Sequence, residues 1–62
     1  MTKHTIRKII RTFAAAIDCK YRITSSDEVH FYGPMPNSGV TGWYFIGFGA
    51  ADVARQILVG ER

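Results

Sequence analysis

Cysteine and histidine are scarce in this 62-residue sequence, and their scarcity excludes several kinds of site. Cys19 is the single cysteine, so the chain has neither an internal disulfide nor a cysteine-rich zinc site. His4 and His30 stand at no metal-ligand spacing from Cys19, and we therefore predict no metal ion and no other cofactor. Cys19 itself is expected to be a small buried hydrophobic residue after a helix, because the sequence offers no convincing base for a nucleophilic thiol.

Long hydrophobic runs are missing as well. The first apolar segment is interrupted by Arg7, Lys8 and Arg11, so no signal peptide is predicted. No segment approaches the roughly 20 apolar residues that cross a bilayer. Together with the single cysteine, these features predict a cytoplasmic protein without a membrane partner. We expect one compact domain over residues 1–62, with residues 1–4 and 61–62 frayed.

Acidic residues are rare in the first third of the chain. Residues 1–22 have a formal charge of +5, with Asp18 as their one acid, whereas residues 23–62 have a formal charge of −2. This layout favours an anionic partner at the positive end, although a solvated helix face explains it equally well. The candidate nucleic-acid-binding residues are Lys3, Arg7, Lys8, Arg11, Lys20 and Arg22.

Two apolar stripes at helical spacing lie near the ends of the chain. The first predicts a helix over residues 5–18, with Thr5 or Thr2 as its N-cap, and the second predicts a helix from Ala50 that ends near Gly60. The first stripe consists of Ile6, Ile9, Ile10, Phe13, Ala14 and Ile17, and the second of Ala50, Val53, Ala54, Ile57 and Leu58.

Between the helices, alternating side chains predict strands over residues 20–24, 28–32 and 43–48. Residues 25–27 are turn formers, and residues 33–42, which contain Pro34 and Pro36, are expected to form a long exposed loop. The sequence therefore predicts an α+β fold of order α-β-β-β-α. It consists of a three-stranded antiparallel sheet with both helices packed on one face.

The alternation also assigns each strand a face that points to the helices. Tyr21 and Ile23 in the first strand and Val29 and Phe31 in the second are expected in the core. The third strand is apolar on both faces. We expect Tyr44, Ile46 and Phe48 in the core, because this choice buries three large side chains.

The remaining aromatic side chains are expected on the opposite face, where they would form a contact surface. Interfaces are enriched in such residues, and small monomers rarely leave them bare. We therefore predict a non-enzymatic regulatory or inhibitory protein, of the kind found among phage and plasmid accessory proteins. Its partner would be another protein or a second copy of the chain. The predicted partner-binding residues are His30, Tyr32, Met35, Asn37, Trp43 and Phe45.

Two alternatives to a protein-binding surface follow from the same residues. Aromatic rings beside Lys20 and Arg22 would also suit an RNA- or DNA-binding module, since bases stack on such rings. Alternatively, the loop could fold back and cover the rings.

The order of elements resembles the double-stranded-RNA-binding fold and the small HicA-type toxins that use it to cut messenger RNA. In those toxins a Gly-Ser-His-type motif near the second strand supplies a catalytic histidine. The matching segment here is Ser25-Ser26-Asp27-Glu28-Val29-His30, which lacks that motif and aligns only His30. The resemblance implies, as a third hypothesis, a ribonuclease that relies on His30.

Overall fold

A computed structural model describes residues 1–60 of the chain and has the predicted order of elements. The strands form one antiparallel sheet in the order β1-β2-β3, and both helices pack on the same face of it. The predicted α+β fold is confirmed. Residues 61–62, which were predicted to fray, lie outside the described part. The elements are α1 (Lys3–Ala16), β1 (Lys20–Ile23), β2 (Glu28–Pro34), β3 (Thr41–Phe48) and α2 (Ala50–Gly60).

Helix α1 begins earlier and ends earlier than predicted. The hydroxyl oxygen of Thr2 accepts a hydrogen bond from the Thr5 N–H at 3.2 Å, so helical structure begins within the segment that was expected to fray. At the other end, Asp18 adopts a positive φ of 60° and turns the chain toward β1. Ile17, the C-cap residue, is 41% exposed and does not extend the buried stripe as predicted.

The core lies between the sheet and the helices. Ile10, Val29 and Phe31 are fully buried, and each contributes about 1.5–3 kcal/mol of hydrophobic stabilisation relative to an exposed side chain. The predicted inward residues of β1, Tyr21 and Ile23, are half-buried against this core. The other buried core residues are Ala14, Ala50, Val53 and Ala54.

The loop between β2 and β3 is shorter than predicted and spans residues 35–40. The Met35 N–H donates to the Val40 carbonyl at 3.0 Å, and the Gly39 N–H donates to the Met35 carbonyl at 2.9 Å. Gly39 has a φ of 71°, which favours glycine at this turn. Pro34 is the last residue of β2, where the missing N–H interrupts little of the ladder.

The strands extend into the predicted loop because Gly33 and Gly42 pair across them. A β-carbon on Gly33 would collide with the Cys19 sulfur, and one on Gly42 would lie 3.2 Å from the Met35 methyl carbon. The absence of both side chains therefore leaves room for Cys19 and Met35 to pack against the sheet.

A β-bulge in β3 changes which residues face the core. Val29 pairs with Gly47, whereas the next residue, His30, pairs with Phe45, so Ile46 is the extra residue on β3. A β-carbon on Gly47 would lie 3.3 Å from a Val53 methyl group, so Gly47 faces α2.

The bulge overturns one of the core predictions. Tyr44 and Ile46 pack against the core as predicted. Phe48 follows Gly47 and points to the opposite face, so its assignment to the core was wrong.

Helix α2 is capped by a residue distant in sequence. The Asp27 side chain accepts a hydrogen bond from the Ala50 N–H at 3.2 Å, and its backbone carbonyl accepts one from the Gly49 N–H at 2.8 Å. These bonds satisfy two backbone N–H groups at the start of α2 and attach the β1–β2 turn to that helix. Further along α2, Leu58 is exposed, although its position in the apolar stripe predicted burial.

Candidate functional site: the open face of the sheet

The open face is the side of the sheet opposite the two helices. Its members follow from strand alternation, with the bulge adding Phe48. Within residues 1–60 no helix packs on this side, and the Cα extents of 33 × 29 × 15 Å accommodate one sheet and one helical layer. The open face consists of Lys20 and Arg22 from β1, Glu28, His30, Tyr32 and Pro34 from β2, and Thr41, Trp43, Phe45 and Phe48 from β3.

Four aromatic side chains of the open face are accessible to solvent. The exposed fractions are 37% for Tyr32, 43% for Trp43, 49% for Phe45 and 68% for Phe48. In a domain this small, these rings could have contributed to the core. Their exposure leaves a contiguous apolar patch of the kind that marks interaction surfaces.

The aromatic rings contact one another and hold a defined arrangement. The ring centroids of Tyr32 and Trp43 lie 5.3 Å apart, and those of Phe45 and Phe48 lie 5.2 Å apart. The His30 imidazole packs edge-on against Phe45 at 5.4 Å. Edge-to-face and tilted pairs of this kind contribute about 0.5–1.5 kcal/mol each, so the surface is partly ordered before it meets a partner.

Arg22 joins the cationic and aromatic sides of the open face. Its backbone pairs with His30, but its guanidinium carbon lies 4.4 Å from the centre of the Trp43 ring on the far strand. The side chain therefore crosses β2 and covers part of the indole. Lys20 is the cation on the β1 side, and the Arg22 guanidinium adds a positive charge above the apolar β3 side.

His30 is held by a carboxylate on its own strand. Its Nε2 atom lies 3.1 Å from a Glu28 carboxylate oxygen, and both side chains are half-buried. The ribonuclease hypothesis requires this imidazole to reach a substrate, and in this arrangement Nε2 is already bonded. Across the described chain, no group of three or more His, Cys, Asp and Glu side chains could hold a metal ion.

The structure brings together four of the six predicted partner-binding residues. His30, Tyr32, Trp43 and Phe45 lie on the open face. Met35 is half-buried, with its methyl carbon near Gly42. Asn37 is exposed in the loop.

The predicted nucleic-acid-binding residues divide between two surfaces. Lys20 and Arg22 lie on the open face. The others are exposed on α1, which packs on the opposite side of the sheet. Those on α1 are Lys3, Arg7, Lys8 and Arg11.

Phe48 is the open-face residue that the sequence reasoning missed. The signal was Gly47, since an isolated glycine inside a strand pattern is typical of a bulge. With the bulge considered, the alternation places Phe48 beside Phe45.

On the helix side, Cys19 and Tyr44 form a polar contact. The sulfur and the phenol oxygen lie 3.6 Å apart. The hydrogen bond to Cys19, together with burial, raises the pKa of the Tyr44 phenol. Cys19 packs against the core, as predicted, and is half-buried.

Neither helix of the described chain combines the length and apolar character that a membrane span requires. Comparisons with protein-family models, with curated proteins and with solved structures find no match for the chain.

Proposed function

We propose that this chain is a small non-enzymatic protein that regulates or inhibits another protein by binding it through the open face. The observation that carries the proposal is the row of exposed rings on a sheet face that neither helix covers. Large aromatic residues and arginine are the residues that most often dominate binding energy at protein interfaces.

The chemistry of the open face indicates what the partner presents. The β3 side would accept apolar side chains, and Phe48 and Phe45 are its most exposed rings. The cations are Lys20 on the β1 side and the Arg22 guanidinium, which lies over Trp43, and both would pair with carboxylates of the partner. The partner surface is therefore expected to combine an apolar centre with an acidic border.

Nucleic-acid binding is the second candidate function. The basic side chains of α1 favour it, because they are exposed and the helix contains no acidic residue. Stacking of bases on Trp43 would compete with Arg22, which already covers part of that ring. Nucleic acid would consequently bind mainly through phosphate contacts to α1.

A pull-down with matched variants distinguishes the two functions. The bait would be the wild-type chain, an open-face variant carrying Phe45→Ser and Phe48→Ser, or a helix variant carrying Arg7→Ser and Arg11→Ser. All four positions are exposed, so each bait should fold, which circular dichroism would verify. Host extract would be used with and without nuclease treatment.

The protein-binding proposal expects a partner that survives nuclease and is lost only with the open-face variant. Titration of the purified partner should then reproduce this difference. Material that disappears after nuclease treatment, or that is lost only with the helix variant, would favour nucleic acid instead. The ribonuclease hypothesis stays a prediction, and RNA cleavage that is abolished by His30→Ala would support it.

A further inference from the structure

The outer edge of β3 has no partner strand within the described chain. Strand β3 pairs only with β2, which leaves its other edge as a row of backbone donors and acceptors. Proteins usually protect such edges with charges, prolines or bulges. Strand Thr41–Phe48 has no charged residue and no proline, and its bulge at Ile46 interrupts only the second half. The first half, residues 41–45, is a regular and unprotected edge.

We infer that two copies of this chain pair antiparallel through residues 41–45 of β3, forming a continuous six-stranded sheet. This inference goes beyond the proposed function and does not depend on it. Helix α2 lies beside the bulged half of the strand, where Gly47 approaches Val53, so the regular half is the accessible part. The open faces of both copies would then lie side by side and remain free to bind a partner.

The register follows from the self-complementarity of the segment. When residues 41–45 pair antiparallel about their centre, Trp43 lies opposite its own copy, and Tyr44 lies opposite Gly42 of the second chain. Tyr44 and Gly42 both occupy the helix side, so Tyr44 of one chain would lie beside Gly42 and the neighbouring Met35 methyl group of the other. Trp43 and its copy meet on the open face, where cross-strand aromatic pairs stabilise sheets.

The charge layout favours edge pairing over face-to-face stacking of two copies. In the six-stranded sheet, the two β1 strands lie at opposite ends, five strand spacings or about 24 Å apart. The Lys20 side chains of the two chains would therefore lie about two to three Debye lengths apart, whereas each Arg22 guanidinium stays over its own Trp43 ring near the seam. In a face-to-face stack, the sheets would lie about 10 Å apart and enclose both sets of cations in one interface.

A charge-swap experiment tests both the pairing and its register. In the inferred dimer, Trp43→Lys places two like charges directly opposite each other, and so does Trp43→Glu. Each variant alone should be a monomer by light scattering, whereas an equimolar mixture should pair again. The matched control is Phe48→Lys with Phe48→Glu. Phe48 is on the same face and strand but lies beyond the bulge, so its variants should dimerise like the wild type.

The wild-type chain should show a concentration-dependent rise in mass from 7.0 kDa toward twice that value. If the chain is a monomer at every concentration up to about 1 mM, the free energy of association is weaker than about −4 kcal/mol and the inference is overturned. Equal disruption by the Trp43 and Phe48 variants would also overturn it and would indicate face-to-face stacking. If either Trp43 variant alone dimerises as tightly as the wild-type chain, this register is excluded.

Hydrogen exchange on the wild-type chain gives a readout that does not require the variants to fold. Amides of residues 41–45 should become more protected as protein concentration rises, because pairing bonds those that point outward in the monomer. Protection that is independent of concentration would overturn the edge pairing. The proposed function is tested with the Phe45 and Phe48 variants and does not require a dimer. Failure of this dimer and failure of the proposed function are therefore separate results.

Discussion

The Arg22 guanidinium carbon lies 4.4 Å from the centre of the Trp43 ring, although these residues are on the two edge strands of the sheet. The contact spans β2 and connects the cationic and apolar sides of the open face. It also restricts the rotamers of both side chains in the free protein. A partner that binds here meets a partly ordered surface, which lowers the entropic cost of association.

Removal of this cation–π contact should have a small, measurable effect. We expect Arg22→Ala to lower the free energy of unfolding by about 0.5–1 kcal/mol in urea titrations and to shift the Trp43 fluorescence. Lys20→Ala is the matched control, since it removes the same charge from the same strand at a position with no cation–π contact in the described chain. An equal loss in both variants would show that the contact contributes nothing specific.

The hydrogen bond by which the Asp27 side chain caps α2 can be tested separately from the positive φ of Asp27. Asp27 has a φ of 63°, which glycine and asparagine tolerate. Asp27→Gly removes the bond to the Ala50 N–H and should cost about 0.5–1.5 kcal/mol. Asp27→Asn keeps a side-chain oxygen acceptor and should lose less, as urea midpoints would show. If Asp27→Asn costs as much as Asp27→Gly, the oxygen is not the stabilising group.

Gly33 should tolerate no side chain. A β-carbon there would meet the Cys19 sulfur and lie 3.1 Å from the Asp18 carbonyl oxygen. We expect Gly33→Ala to destabilise the fold by about 1–3 kcal/mol in thermal or urea unfolding. Adding Cys19→Ala should recover part of this loss, because the sulfur is removed but the Asp18 carbonyl remains. Full additivity of the two substitutions would contradict the predicted coupling.

The comparison position for that experiment is Gly60, near the end of α2. Apart from its chain neighbours and the backbone of its own helix, no atom of residues 1–60 lies within 4 Å of a β-carbon placed there, so Gly60→Ala should be neutral or stabilising.

Tyr44 should make stability depend on alkaline pH. Its pKa is raised in the folded chain, so the native state holds the phenol proton more tightly than the unfolded chain does. The stabilisation of the folded chain that results from this difference is complete below the unfolded pKa of about 10. It is lost as pH rises through the higher folded pKa. Urea midpoints of the wild type and Tyr44→Phe, measured from about pH 8 to about pH 11, should converge or cross above about pH 10. Parallel curves would contradict this.

Much of the fold was predictable from the pattern of apolar residues. The stripe through Ile10 and Ala14 repeats at helical spacing, and Val29 and Phe31 alternate with polar neighbours, so their burial follows from local geometry. The surplus of aromatic residues was predictable for the same reason. Once one face of each strand is assigned to the core, His30, Tyr32, Trp43 and Phe45 remain outside it.

The third strand was harder to predict, because both of its faces are apolar. A pattern without alternation does not specify which residue faces the core, and the isolated Gly47 was the one local sign that Phe48 and Ile46 differ. The close approach of Val53 in α2 leaves little room for a side chain at the position of Gly47, and the bulge then turns Phe48 outward.

The sequence by itself determined two amphipathic helices, three strands and an excess of rings beyond what the core holds, because these depend on residue type and spacing. Only the tertiary structure decided the reach of Arg22 across the sheet to Trp43, the capping of α2 by Asp27, and the strand extension at Gly33 beside Cys19. Each of these depends on atoms that are distant in sequence, and their proximity is a property of the packed chain.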